Sequence, residues 1–135
     1  MENSLINSFS IKQKLSAITL MRAIVGGTQD ANKAKLQEEQ IIKQVRLLGI
    51  SVVECDNFMN NLNLESLKRE LISLNNAQKD FIVSMTMELL HTGGEPTDRD
   101  IMITENIFEK LANINPDELD ERAVKIKAIG NYLYK

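Results

Sequence analysis

Three acids, Glu95, Asp98 and Asp100, crowd one short stretch around Pro96 and Thr97. A hard divalent cation wants several oxygen ligands, largely carboxylates, converging on one point. These three are the candidate metal ligands, and a divalent cation is the one cofactor the chain invites. The first half adds Asp30, Glu38 and Glu39. Helix capping accounts for the same residues differently. Thr97 reads as an N-cap with Asp100 at the third helical position, a capping box with Asp in place of Glu. Asp98 and Asp100 then lie in a first turn, where the helix dipole favours acids, and Glu95 is solvated.

The other reactive residues are isolated. His91 is the sole histidine, and a zinc site or a triad needs further partners. Cys55, the sole cysteine, has no histidine near it in sequence to lower its pKa, and reads as a packed thiol. Met59, Met85, Met87 and Met102 fall at helical spacing and read as core filler. Gly26-Gly27 and Gly93-Gly94 lack the following Lys-Ser/Thr of a phosphate loop. No nucleophile is paired with a base, so catalysis is not expected. Near the end, Tyr132 and Tyr134 are candidate interaction residues, because tyrosine is favoured at interfaces; pinning the last helix to the body is the alternative.

The elements that carry these residues are helices. From Phe81 to Leu90 apolar residues point in nearly every direction at 100° per residue, the mark of a buried helix. Gly93 and Gly94 end it, and Pro96 delays the restart. The pattern predicts helices near 10–25, 33–48, 52–60, 64–74, 77–92, 98–112 and 116–133. Ser10, Ser51, Asn63 and Thr97 serve as caps, and Asn115-Pro116-Asp117-Glu118 is a start signal. Residues 1–9 read as a loose leader and 10–135 as one all-α domain, a bundle of about seven helices. A weak internal two-fold repeat is legible: helix, Gly-Gly, polar loop, helix, then a stop and a new cap, twice. The second helices of the two halves align only with a shift of about two residues. The two most apolar helices, 11–25 and 77–92, are expected together at the centre.

At 135 residues, with 43% hydrophobic and 26% charged residues, the chain fits one globular domain. A net charge of −3 and scattered Lys and Arg argue against a nucleic-acid surface. No run of 18 apolar residues is present to span a membrane. One cysteine and no signal-peptide pattern lead us to expect a cytoplasmic protein.

The order of elements resembles the TerB-like family, the all-helical domain named for tellurite resistance and also found at the N-terminus of a membrane-anchored DnaJ-type co-chaperone. The resemblance covers roughly residues 10–130. It is carried by Leu89-Leu90-His91-Thr92-Gly93-Gly94-Glu95-Pro96-Thr97-Asp98-Arg99-Asp100 and by Leu47-Leu48-Gly49-Ile50-Ser51. Gly94 and Asp100 match the family's glycine and helix acid. Gly26 and Gly93 stand where the family has Asp, in positions that the resemblance links to divalent-metal binding. The resemblance implies a non-enzymatic helical adaptor in stress-related assemblies, with protein partners. Self-association into a homo-oligomer is compatible with it. A divalent-metal-binding domain using Glu95, Asp98 and Asp100 is the alternative.

Overall fold

The computed structural model describes residues 2–128. They form eight α-helices: α1 (Glu2–Ser8), α2 (Ile11–Val25), α3 (Ala31–Leu47), α4 (Val52–Asn60), α5 (Leu64–Ile72), α6 (Asn76–His91), α7 (Asp98–Ala112) and α8 (Pro116–Ala128). Among the described residues there is no strand. Capping boxes open α2 at Ser10, α4 at Ser51, α6 at Asn75 and α7 at Thr97. Asn113 closes α7 in the left-handed conformation, φ 55°.

The eighth helix is α1, where a loose leader was expected. Leu5, Ile6 and Phe9 are spaced to fall on one side of a short helix, and Ile6 and Phe9 are buried. The Phe9 ring lies 5.8 Å from that of Phe81 in α6. Gln78 donates from Nε2 to the Ser8 carbonyl, 3.1 Å. An apolar contact and a side-chain bond therefore dock α1 on α6.

Both all-apolar helices are buried. Ala17, Ile18, Leu20 and Met21 of α2 and Phe81 and Met85 of α6 have no exposed surface. They meet only over a short stretch, not along their lengths. A helix apolar on every side needs cover on every side, and the remaining helices divide that task. Helices α3, α4, α5 and α7 pack on α2, whereas α1, α3 and α8 pack on α6.

Helix α3 starts at Ala31, two residues before the sequence reading, because Asp30 caps it by accepting from the Lys33 N–H, 2.9 Å. That start removes the phase shift expected between the two halves. The seventh, eleventh and fifteenth residues are buried in both helices: Gln37, Ile41 and Val45 in α3, Thr104, Phe108 and Ala112 in α7.

The two Gly-Gly pairs end their helices in different ways. Gly26 keeps right-handed helical geometry at φ −59°, and Gly27 matters for space: a Cβ there would lie 2.8 Å from Ile103 Cδ1 in α7. Gly93 is left-handed at φ +86°, and its Cβ would lie 3.3 Å from Leu36 Cδ1 and from Lys33 Cγ in α3. Each loop thus lets its backbone close on the helix of the other half.

Truncating Phe9 to Ala tests the docking of α1. We expect a loss of about 3 kcal/mol in urea unfolding of the full chain. A change below about 0.5 kcal/mol, the range of surface substitutions, would contradict the packing.

Candidate functional site

The close approach of the Gly93 loop to α3 brings the first turns of α3 and α7 together. Lys33 is the third residue of α3 and Asp100 the third of α7. Lys33 Nζ donates to Asp100 Oδ2 at 2.9 Å and to the Glu95 carbonyl at 3.3 Å. Both charged side chains are 12% exposed. Asp100 Oδ2 also accepts from the Thr97 N–H, 2.9 Å, while Thr97 Oγ1 accepts from the Asp100 N–H, 3.1 Å. Thr104 donates to the Asp100 carbonyl, 2.7 Å. The bond from the Thr97 backbone holds the Asp100 carboxyl below the usual carboxylate range. Partial burial opposes that shift, and the Lys33 ammonium adds to it.

The other two candidate ligands do not join Asp100. Glu95 and Asp98 are exposed. The Glu95 carboxylate points to His91 instead, its Oε2 lying 3.8 Å from Nε2 across one turn. Among the described residues no group of three His, Cys, Asp or Glu side chains could hold a metal ion. The Glu95–Asp98–Asp100 set therefore does not fit a divalent cation: the ammonium of Lys33 already lies against Asp100 and the loop carbonyl, where a cation would bind. Asp30, Glu38 and Glu39 stay on α3 or its cap, and Glu38 and Glu39 are exposed.

His91 is half exposed, and its Nδ1 bonds to the Met87 carbonyl at 2.8 Å. Cys55 is buried beneath α4, and that burial pushes its thiol pKa up, with Arg22 opposing. A raised pKa disfavours the thiolate a nucleophile needs. Tyr132 and Tyr134 lie outside the described residues.

Sequence reasoning missed a second polar centre. Asp80 lies in α6 with its side chain 5% exposed. Arg122 Nη1 donates to its Oδ1 at 2.7 Å, and Lys125 Nζ to its Oδ2 at 2.5 Å. Arg122 also bonds Glu118 Oε2, 3.0 Å, and Asn76 Oδ1, 3.0 Å. The signal was present: an acid inside a helix apolar on all sides needs a cationic partner. Arg122 and Lys125, three residues apart, supply it from one face of α8.

Among the described residues, grooves open between helices at two places. One, of about 760 Å³, lies between α2, α3 and α4; its walls include Val25, Ile41, Val52 and Met59, with Arg22, Glu38 and Asp56. The other, of about 290 Å³, lies between α6, α7 and α8; Val83, Met87, Leu90, Ile101, Leu119 and Ala123 floor it, with His91, Glu105 and Asp120 among its polar groups. No family model, curated protein or solved structure matches the chain.

Asp100 sets an acid dependence. Its folded pKa is depressed, so its contribution is complete above the unfolded value of about 3.9 and fades as pH falls through the folded one. We expect Asp100→Asn to cost about 2 kcal/mol at pH 7, measured by urea unfolding. That difference should shrink steadily below about pH 4. An unchanged difference in strong acid would contradict the assignment.

Proposed function

We propose that this chain is a non-catalytic helical interaction domain of the TerB-like type, working as an adaptor in the cytoplasm, in stress-related assemblies. The observation that carries the reading is the groove between α6, α7 and α8, floored by aliphatic side chains and open to solvent. Ile101 on its wall is 43% exposed, an apolar surface available to a partner.

The chemistry near the grooves supports binding rather than turnover. The most sheltered ion pairs, Lys33 with Asp100 and Asp80 with Arg122, engage their charges with one another. Cys55 and His91 sit on separate helices, one buried and one at a helix end. The metal-binding alternative has no observation in its favour, since Lys33 pairs with Asp100.

The TerB-like resemblance gains support from the relation of the halves. Lys33 and Asp100 occupy the same helix position, as do Leu36 and Ile103, each of which meets the glycine loop of the other half. Such reciprocity is what an internal two-fold repeat produces. No helix among the described residues is long and apolar enough to cross a membrane. A docking role for Tyr132 and Tyr134, which lie outside the described residues, is carried forward as part of this proposal.

The test is affinity capture from the source cell with the full chain and its Ile101→Glu variant, whose site is exposed enough for the fold to survive. We expect a reproducible protein partner whose recovery falls with Ile101→Glu. Equal recovery with both chains, or no partner together with turnover of a small molecule, would overturn the reading.

A further inference from the structure

The two grooves share a plan, and among the described residues only the α2–α3–α4 groove is lined by an arginine or lysine. Glu38 is the eighth residue of α3 and Glu105 the eighth of α7; each lines its groove. Asp56 is the fifth residue of α4 and Asp120 the fifth of α8, and they line the same two grooves. Each groove therefore carries a glutamate from one wall and an aspartate from the other, above an aliphatic floor.

In the α2–α3–α4 groove the acid is answered from within. Arg22 of α2 donates from Nη1 to Asp56 Oδ1 at 3.1 Å and lies 3.0 Å from Met59 Sδ. In the α6–α7–α8 groove no lysine or arginine among the described residues lines the walls. Among the described residues neither Glu105 nor Asp120 makes an ion pair. Arg122 and Lys125 of α8 are bound to Asp80. A half-buried carboxylate, Glu105, and an exposed one, Asp120, beside an apolar floor attract a cation whose stem can lie on that floor.

We propose that the α6–α7–α8 groove binds a short linear segment of a partner protein that presents an aliphatic side chain next to an arginine. The aliphatic group fills the floor formed by Val83, Leu90 and Ala123, and the guanidinium reaches Glu105 and Asp120 as Arg22 reaches Asp56. A volume of about 290 Å³ suits one or two side chains, so the site reads a short anchor rather than a whole helix. The inference rests on the interaction-domain reading and specifies the partner's chemistry.

The experiment is amide chemical-shift titration of the full chain with capped dipeptides: acetyl-Leu-Arg-amide, acetyl-Leu-Glu-amide and acetyl-Leu-Ala-amide. We expect saturable shifts centred on Leu90, Glu105 and Asp120 with the arginine probe. The other two probes should bind roughly tenfold more weakly or not at all. Glu105→Gln/Asp120→Asn, confirmed folded by its own spectrum, should bring the arginine probe down to the level of the alanine probe. Glu38→Gln, in the other groove, should leave its binding unchanged. Equal binding of all three probes at this groove would overturn the arginine preference while leaving an interaction domain. Failure of every probe to shift the groove would overturn the site itself, and the capture experiment with Ile101→Glu would still decide the broader reading. Nuclear Overhauser contacts from Tyr132 or Tyr134 to Leu90 or Ala123 in the free chain would also overturn it, because the groove would then be filled from within.

Discussion

The ion pair between Lys33 and Asp100 joins the two halves of the bundle where their second helices begin. Its geometry is demanding, since each partner sits at the third position of a helix whose first turn must reach the other. The reach depends on backbone. Gly93 has no side chain to hold the loop off α3, and Gly27 none to hold its loop off α7. Once the turns meet, Asp100 has three demands on it: the Thr97 N–H, the Lys33 ammonium and the dipole of its own helix. All three favour the ionised carboxylate. A pair this sheltered costs desolvation, and bonds to the Thr97 backbone and the Glu95 carbonyl offset part of that cost.

Much of this was legible because it is local. The caps at Ser10, Ser51, Asn63 and Thr97, the start at Pro116 and the left-handed Asn113 all follow from side chains bonding their own or adjacent turns. The two buried helices were visible as apolar residues in every direction. What escaped was non-local. Lys33 and Asp100 are 67 residues apart in sequence, and no spacing rule pairs them, so Asp100 read as a cap or a metal ligand. The contacts of Asp80 with Arg122 and Lys125 escaped for the same reason, although an acid within α6 marked one side of them. The docking of α1 escaped because a helix of seven residues has little intrinsic stability and exists only against α6. Starting α3 late at 33 also hid the agreement of the two halves in their buried positions.

The grooves follow from the same economy. Helices α2 and α6 are covered by different sets of neighbours, and a cleft stays open beside α4 in the first half and beside α8 in the second. In the first half Arg22 answers the acid at its edge. In the second half no corresponding basic group lines the groove among the described residues, and Arg122 and Lys125 bind Asp80 to hold α8 on α6. A structural need, the clamp of Asp80, thereby leaves Glu105 and Asp120 facing outward.

The central claim is that Lys33 and Asp100 form one interaction that closes the polar centre of the bundle. A double-mutant cycle with Lys33→Met and Asp100→Asn, read by urea unfolding at pH 7, tests it most directly. We expect a coupling of about 1–3 kcal/mol, the range for residues in one bonded network. A coupling below about 0.3 kcal/mol, as found for independent sites, would contradict it.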